Sequence, residues 1–247
     1  MNKISVGIMS LLVAGAVTSC GNTSDEKAAN DSLNTAATTD TAGWVNLFDG
    51  ETLAGGHGLN KGSDSITNWT YIDGALVCLG ATGGADVGGD IVTDKDYANF
   101  ELQWEWKVDT GSNSGVMYHV VEDKKYSGPW ETGPEYQIID DVTFPDKLED
   151  WQMAGADYAM HPAGPNKVLQ PVGEWNTSKI IFNNGHVEHW LNGEKIVEFT
   201  RDSVWQQKKE TGKWKDHPDY GSATSGKIAL QDHGAKAYYR DFRIKEL

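Results

Sequence analysis

The chain has 247 residues, and 36 acidic against 21 basic side chains give it a formal charge of −15 at neutral pH. The basic residues form no stripe or long run, which makes nucleic acid and anionic lipid surfaces poor partners. Hydrophobic residues make up 38% of the sequence, enough for a large core. Long apolar helices are not indicated, and one β-rich domain of this length is ordinary.

The N-terminus carries the pattern of an export signal. Lys3 supplies a positive start, residues 4–17 are apolar, and small residues lead to Cys20. This pattern is typical of a signal peptide and not of a membrane span. Its ending resembles a bacterial lipobox, so we predict a signal peptide over 1–19 and lipidation of Cys20. A plain secretory signal with a chance cysteine is the alternative.

The next segment, residues 20–42, is rich in Ala, Thr, Asn, Asp and Ser, which predicts a flexible tether. Its acidic cluster at 24–27 resembles the export tag of surface lipoproteins in the Bacteroidota. We therefore expect a protein anchored to the outer membrane by lipid, on either the periplasmic or the outer side. With Cys20 lipidated, Cys78 has no intrachain partner and is predicted to be a buried free thiol.

Residues 43–247 show no break in composition and no internal repeat, and are predicted to form one domain. Short β-type runs alternate with Gly, Asn and Asp turns at the spacing of a sandwich. The predicted strands are 74–79, 99–108, 114–121, 135–139, 178–183, 186–191, 194–199, 226–231 and 237–245.

Two Asn-Gly pairs, at 184–185 and 192–193, predict tight turns with positive φ that join three strands into a meander. A short polar helix is predicted over 203–210. The residues after it, 213–225, are predicted to form a surface loop.

Polar and apolar residues alternate strictly in two of these strands. Over 101–108, Leu, Trp and Val point one way while Glu, Gln and Lys point the other. In the run 135–139, Tyr136 and Ile138 face inward and Glu135 and Gln137 face the polar side. We expect a sandwich with one apolar interlayer and a polar outer face, on which strands 99–108, 114–121 and 135–139 pool acids, a base and amides.

Several motifs occur in a fixed order along the domain. They are Gly-Trp-Val-Asn-Leu-Phe-Asp-Gly at 43–50, Gly-Gly-Asp-Ile-Val-Thr at 88–93, Asn-Ser-Gly at 113–115, Glu-Thr-Gly-Pro-Glu-Tyr-Gln at 131–137, Gly-Glu-Trp-Asn at 173–176, Val-Glu-His-Trp-Leu-Asn-Gly at 187–193 and Leu-Gln-Asp-His-Gly at 230–234. Together they resemble the 3-keto-disaccharide hydrolase family, over the whole of residues 43–247.

The resemblance implies an all-β, concanavalin A-like jelly-roll sandwich whose concave sheet binds sugar. It also implies a substrate, a glycoside already oxidised to a ketone at carbon 3, and cleavage by elimination and hydration. A partner oxidoreductase would then make that ketone. His57 and His119 stand where family members often have Trp and Arg, which indicates an altered sugar platform or ketone contact.

Such a reaction needs a base, a stabiliser of the enolate and an acid. Glu135 is the expected base, with a hydrogen bond to a sugar hydroxyl or to the adjacent loop as the alternative. His119 is a candidate donor to the enolate or leaving group, with a packed core histidine as the alternative. Lys107 and Glu105 are candidates for an acid and electrostatic clamp, with a surface ion pair as the alternative.

Further side chains are predicted to contact the substrate. Rings in or beside loops, including Trp205 and Trp214, can stack on a sugar, although most tryptophans pack in cores. The predicted substrate-binding residues are Gln137, Asp141, Trp151, Tyr158, Gln231, His233 and His57.

No cofactor is expected to be obligatory, and a divalent metal ion is left open. The candidate ligands are Asp90, Glu135 and His233, with His119 as a further donor. For His233 the alternative is a structural turn at 232–234.

Two other functions remain as alternatives. One is a non-catalytic, lectin-like sugar-binding module on the same fold. The other is a direct hydrolase of unmodified glycans, which would need paired carboxylates. The strand with Glu101 and Glu105 has Gln103 between them and Lys107 after them, so it lacks the three alternating acids of laminarinase-type enzymes.

Overall fold

The computed structural model describes residues 42–61, 66–80 and 89–247. The predicted signal peptide, Cys20 and nearly all of the predicted tether lie outside these residues. In the described part, no helix has the length and apolar character needed to cross a membrane.

Within the described residues the chain forms thirteen strands and one α-helix. The strands are β1 (Val45–Asn46), β2 (Gly56–Gly58), β3 (Trp69–Ile72), β4 (Ala75–Leu79), β5 (Ile91–Thr93), β6 (Phe100–Val108), β7 (Asn113–Val120), β8 (Glu135–Ile139), β9 (Asn176–Asn183), β10 (His186–Leu191), β11 (Glu194–Thr200), β12 (Lys227–Leu230) and β13 (Lys236–Glu246), and the helix is α1 (Ser203–Thr211). All nine predicted strands and the helix are confirmed. The strands not expected from the sequence are β1, β2, β3 and β5, which have two to four residues each and are too short to show alternation.

The strands form two antiparallel sheets packed face to face. The larger sheet has the order β11-β10-β9-β6-β13-β4-β3, with β1 also paired to β13, and the smaller has the order β2-β5-β12-β7-β8. This confirms the predicted all-β sandwich of the concanavalin A-like jelly-roll class. One expectation is wrong: β6 belongs to the larger sheet, while β7 and β8 belong to the smaller, so these three strands do not share a surface.

The core lies between the sheets and follows from the alternation. In β6, every second residue from Phe100 to Val108 is buried, and the ring of Trp104 meets that of Tyr136 in β8 edge to face, with centroids 5.0 Å apart. Each such ring contributes on the order of 2 kcal/mol or more through burial. Cys78 is also fully buried and free, as predicted.

The turns and the helix follow their local sequence signals. Asn184 and Gly185 have φ of 50° and 87°, and Asn192 and Gly193 have φ of 49° and 87°, which are the conformations that such hairpin turns require. The side chain of Asp202 caps α1 by accepting hydrogen bonds from the amides of residues 204 and 205.

The backbone after α1 is a loop, as predicted, but its aromatic rings are not on the surface. Trp214 and Tyr220 are 2% and 0% exposed, and they pack with Trp205 and Met160 in a small second core. This loop therefore has an apolar anchor of its own, which fixes its position against the sheet.

Candidate active site

A pocket of about 290 Å³ lies over the outer face of the smaller sheet. Five predicted site residues meet there: Glu135, Gln137, Tyr158, Gln231 and His233. Asn113, Trp130, Lys213 and Trp214 complete its wall, and of these Asn113, Trp130 and Lys213 are not among the site residues expected from the sequence.

The floor of the pocket follows from strand register. Glu135 of β8 pairs with Met117 of β7, and Gln137 pairs with Gly115. Because side chains alternate across a strand, Glu135 and Gln137 project to the same face, as predicted. Loops cover this face, however, so the two side chains are only 5% and 2% exposed.

One of these loops extends the edge of the sheet. The amide of Gln137 donates to Ala156 O at 3.1 Å, and the amide of Tyr158 donates to Glu135 O at 3.0 Å. The Gln137 side chain also donates to Gln152 O at 3.1 Å. These bonds hold Tyr158 beside Glu135 in the wall of the pocket, so the roof and the floor of the pocket are formed by neighbouring backbone segments.

The carboxylate of Glu135 lies in a dry environment. Burial raises its pKa to about 8; the positive charge of Lys213 opposes this shift, and the negative charges of Asp90 and Asp157 add to it. Among the described residues, none donates a hydrogen bond to this carboxylate. Such a group, once ionised, is a strong base.

Lys213 brings the positive charge to the pocket. Its ammonium donates to the hydroxyl of Tyr158 at 2.7 Å and lies 4.0 Å from the Tyr158 ring centroid and 5.4 Å from that of Trp214. No carboxylate of the described part of the chain forms an ion pair with it. The sequence offered no signal for this role, because a lysine in a loop shows no periodicity.

His119 does not reach the pocket, although strict alternation would place it on the same face as Gly115 and Met117. Val120 pairs with Lys227 and Met117 with Ala229, so two residues of β7 face one residue of β12. This β-bulge, with φ of 55° at His119, turns its ring into the interlayer.

The surroundings of His119 are those of a core histidine. Its ring lies 4.3 Å from the ring of Phe182, and its Nε2 donates to Ala98 O at 2.9 Å. Burial lowers its pKa to about 4. The structure therefore supports the alternative in which His119 is a packed core histidine.

Lys107 and Glu105 lie on the outer face of the larger sheet, across the sandwich from Glu135. The Lys107 ammonium is 5.0 Å from the ring centroids of Trp175 and of Tyr238, and Glu105 accepts a hydrogen bond from Arg240 Nε at 2.6 Å. The expectation that they share a surface with Glu135 is wrong, because the strand that carries them is in the other sheet.

His57 and Asp141 hold loops and do not line the pocket. The ring of His57 bridges Asp94 at 2.7 Å and Glu122 at 2.9 Å; burial opposes its protonation, but these two carboxylates raise its pKa overall. Asp141 accepts from Lys167 at 2.5 Å and from the amide of Ala154 at 2.7 Å.

Trp151 lies beside the pocket, with its ring 5.3 Å from that of Tyr158. Trp205 is buried at 4% exposure and does not line the pocket, whereas Trp214 lines it. Of the loop aromatics named from the sequence, Tyr158 and Trp214 are therefore in the wall and Trp151 supports it.

The proposed metal ligands do not come together. The ligand atoms of Asp90, Glu135 and His233 form no cluster within 4.8 Å, and Asp90 accepts from the amide of Asp232 at 2.8 Å. Over the described ranges, such a cluster occurs at His186, Glu188 and Glu198. Lys195 lies 3.4 Å from Glu188 and 2.7 Å from Glu198, so this cluster is an ion-pair network at the surface.

Comparison with known proteins gives matches over the whole domain. Residues 43–245 match the model of the 3-keto-alpha-glucoside-1,2-lyase-like domain. The chain is 32% identical to the 3-keto-disaccharide hydrolase of Bacteroides thetaiotaomicron, over 100% of both chains.

Two solved structures from Parabacteroides distasonis, both described as glycosyl hydrolases, share the fold. One is 44% identical with a TM-score of 0.77, over 83% of this chain and 94% of that one. The other is 27% identical with a TM-score of 0.61, over 83% and 99%. The chain belongs to the family of 3-keto-alpha-glucoside-1,2-lyase-like domains.

Proposed function

We propose that this protein cleaves 3-keto-glycosides by elimination and hydration, with Glu135 as the base. The observation that carries the proposal is the buried Glu135 carboxylate on the floor of a pocket that also holds the cation of Lys213. The family supports the substrate class, as does the name of the Bacteroides relative.

In the proposed reaction the ketone at carbon 3 acidifies the hydrogen on carbon 2. Glu135 takes this proton, and the electron pair of the carbon–hydrogen bond forms an enolate with its negative charge on the carbon 3 oxygen. The enolate then expels the aglycone oxygen from carbon 1 and leaves a double bond between carbons 1 and 2. Addition of water, with hydroxyl at carbon 1 and a proton returned to carbon 2 from Glu135, completes net hydrolysis.

Lys213 and Tyr158 have complementary roles in this proposal. The ammonium of Lys213 stabilises the oxyanion, since a positive charge in the wall of the pocket attracts a developing negative one. The hydroxyl of Tyr158, which accepts the hydrogen bond of Lys213, donates its proton to the departing aglycone oxygen, and the water that later adds its hydroxyl to carbon 1 gives a proton back to Tyr158. The lysine favours this transfer because it stabilises the phenolate that forms.

We further propose that no metal is obligatory, because Lys213 can supply the charge that a metal would contribute. The Cys20 lipid anchor at the outer membrane and a partner oxidoreductase remain proposals as well. The partner follows from the chemistry, because a parent glycoside lacks the ketone that acidifies carbon 2.

The test is incubation of the protein with a 3-keto-glucoside and with the parent glucoside, each with and without chelator. Turnover of the 3-keto-glucoside alone is expected, with loss in Glu135→Gln and retention in the matched variant Glu105→Gln. Turnover of the parent alone would favour a direct hydrolase. Binding without turnover, unaffected by Glu135→Gln, would favour the lectin-like module.

A further inference from the structure

A second cleft, of about 670 Å³, lies at the end of β9, next to α1 and the loop that follows it. Arg201 is the one ionisable residue among the described residues of its wall. The polar side chains around it are neutral: Asn99, Asn184, Gln206, Ser222 and Thr224. Although the chain has a formal charge of −15, the wall of this cleft carries the positive charge of Arg201 and no acidic side chain among the described residues.

The guanidinium of Arg201 is partly buried and has no acidic partner. It donates to Ala223 O at 3.2 Å and to His119 Nδ1 at 3.4 Å, and no described carboxylate forms an ion pair with it. Asp157 acts on it only from a distance and is itself paired with His161 at 2.9 Å.

The histidine next to Arg201 does not supply a competing charge. Its Nε2 donates to Ala98 O, which leaves Nδ1 as an acceptor for the guanidinium. With a pKa of about 4, His119 is neutral at physiological pH. His119 thus helps to hold Arg201 in place.

Leaving a charge partly out of water without a counterion is unfavourable. The remaining donors of Arg201 therefore suit an anion that comes from outside the chain. A guanidinium is a planar fork that matches the two oxygens of a carboxylate. The surrounding amides and hydroxyls suit the hydroxyl groups of a sugar. The guanidinium itself lies over the rings of Phe182 and Trp205, 5.5 Å and 5.1 Å from their centroids, which orient it toward the cleft.

We propose that this cleft binds an acidic sugar, with its carboxylate on Arg201. This site is separate from the Glu135 pocket, but the two share a wall. Trp205 lines the second cleft and Trp214 lines the pocket, and the ring of Tyr220 stacks between them, with centroids 6.1 Å and 4.1 Å away.

The test is calorimetric titration of the whole protein with glucuronate, with glucose as the neutral match and with inorganic sulfate. Glucuronate is expected to bind and glucose to bind at least tenfold more weakly. Arg201→Gln and Gln206→Glu are each expected to weaken glucuronate binding at least tenfold, the second because it places a carboxylate in the cleft. Arg240→Gln, which alters an arginine paired with Glu105 on the other sheet, should leave it unchanged.

Gln206 is exposed on α1, so its variant decides the matter if Arg201→Gln does not fold. Equal binding of glucose and glucuronate overturns the proposal, as does full affinity in Gln206→Glu. Binding of sulfate without glucuronate assigns the cleft to an inorganic anion and also overturns it. Loss of glucuronate binding in Glu135→Gln would mean that the sugar occupies the pocket instead, whereas unchanged binding there supports a separate site.

Discussion

Gly115 lies directly against the carboxylate of Glu135: a Cβ atom at position 115 would be 2.1 Å from Glu135 Oε1. No real side chain tolerates such a contact. The glycine of one strand therefore makes the space in which the carboxylate of the next strand sits.

Gly115→Ala is expected to push the Glu135 carboxylate out of position and to lower kcat at least 100-fold, because a base must lie within hydrogen-bonding reach of its proton. Steady-state kinetics on a 3-keto-glucoside measure this. Gly74→Ala is the control: its added Cβ meets no atom within 4 Å although φ is 76°, so it should lose stability through strain and keep its activity. Equal activity losses in the two variants would contradict the spatial argument.

The rate should depend on pH through Glu135. Since the base must be ionised and its pKa is about 8, kcat/KM is expected to rise about tenfold per pH unit below that value and to level off above it. Lys213→Met should move this rise to higher pH, because the ammonium holds the pKa of Glu135 down. A pH profile with the same midpoint in Lys213→Met would contradict the role of Lys213 in the site.

The free energy of unfolding should also depend on pH through Glu135. The pKa of Glu135 is near 8 in the folded protein and 4.5 in its ordinary state, so its contribution to stability is present below pH 4.5 and is lost as pH rises through 8. Glu135→Gln abolishes this loss and should be more stable than the natural chain above pH 8, by on the order of 4 kcal/mol. Denaturant unfolding from pH 5 to pH 9 checks this, with Glu105→Gln as the control. A stability difference that does not change with pH would refute the assignment.

Tyr158→Phe should slow the cleavage of substrates according to their leaving group. If the hydroxyl protonates the aglycone oxygen, loss of kcat is expected to be at least 100-fold for an alkyl 3-keto-glucoside and less than tenfold for a nitrophenyl one, whose oxygen leaves without a proton. Parallel kinetics with the two substrates make the comparison. Equal losses would show that Tyr158 only positions Lys213.

Sequence patterning predicts much of this fold for a physical reason. Period-two alternation marks β6 and β8 because each strand has one face in the core, and the Asn-Gly pairs mark their turns because few residues adopt positive φ. Glu135 and Gln137 could be placed on one face by the same argument.

The remaining features depend on information that periodicity does not contain. Alternation does not show which sheet a strand joins. It therefore does not reveal that Glu105 and Lys107 lie on the other sheet from Glu135. The bulge at His119 inserts one residue, so Tyr118 and His119 both face the interlayer, and no change in residue type marks its position. Lys213 enters the pocket only through tertiary packing of a loop around Trp214 and Tyr220.

The strand that carries Glu135 is the last in its sheet, and the segment that includes Ala156 and Tyr158 forms hydrogen bonds along its outer side. A sheet edge left open is a template for pairing with another chain. The same segment that roofs the pocket thus protects the protein against self-association. Changes that loosen the roof to admit a larger sugar would consequently expose this edge and favour aggregation.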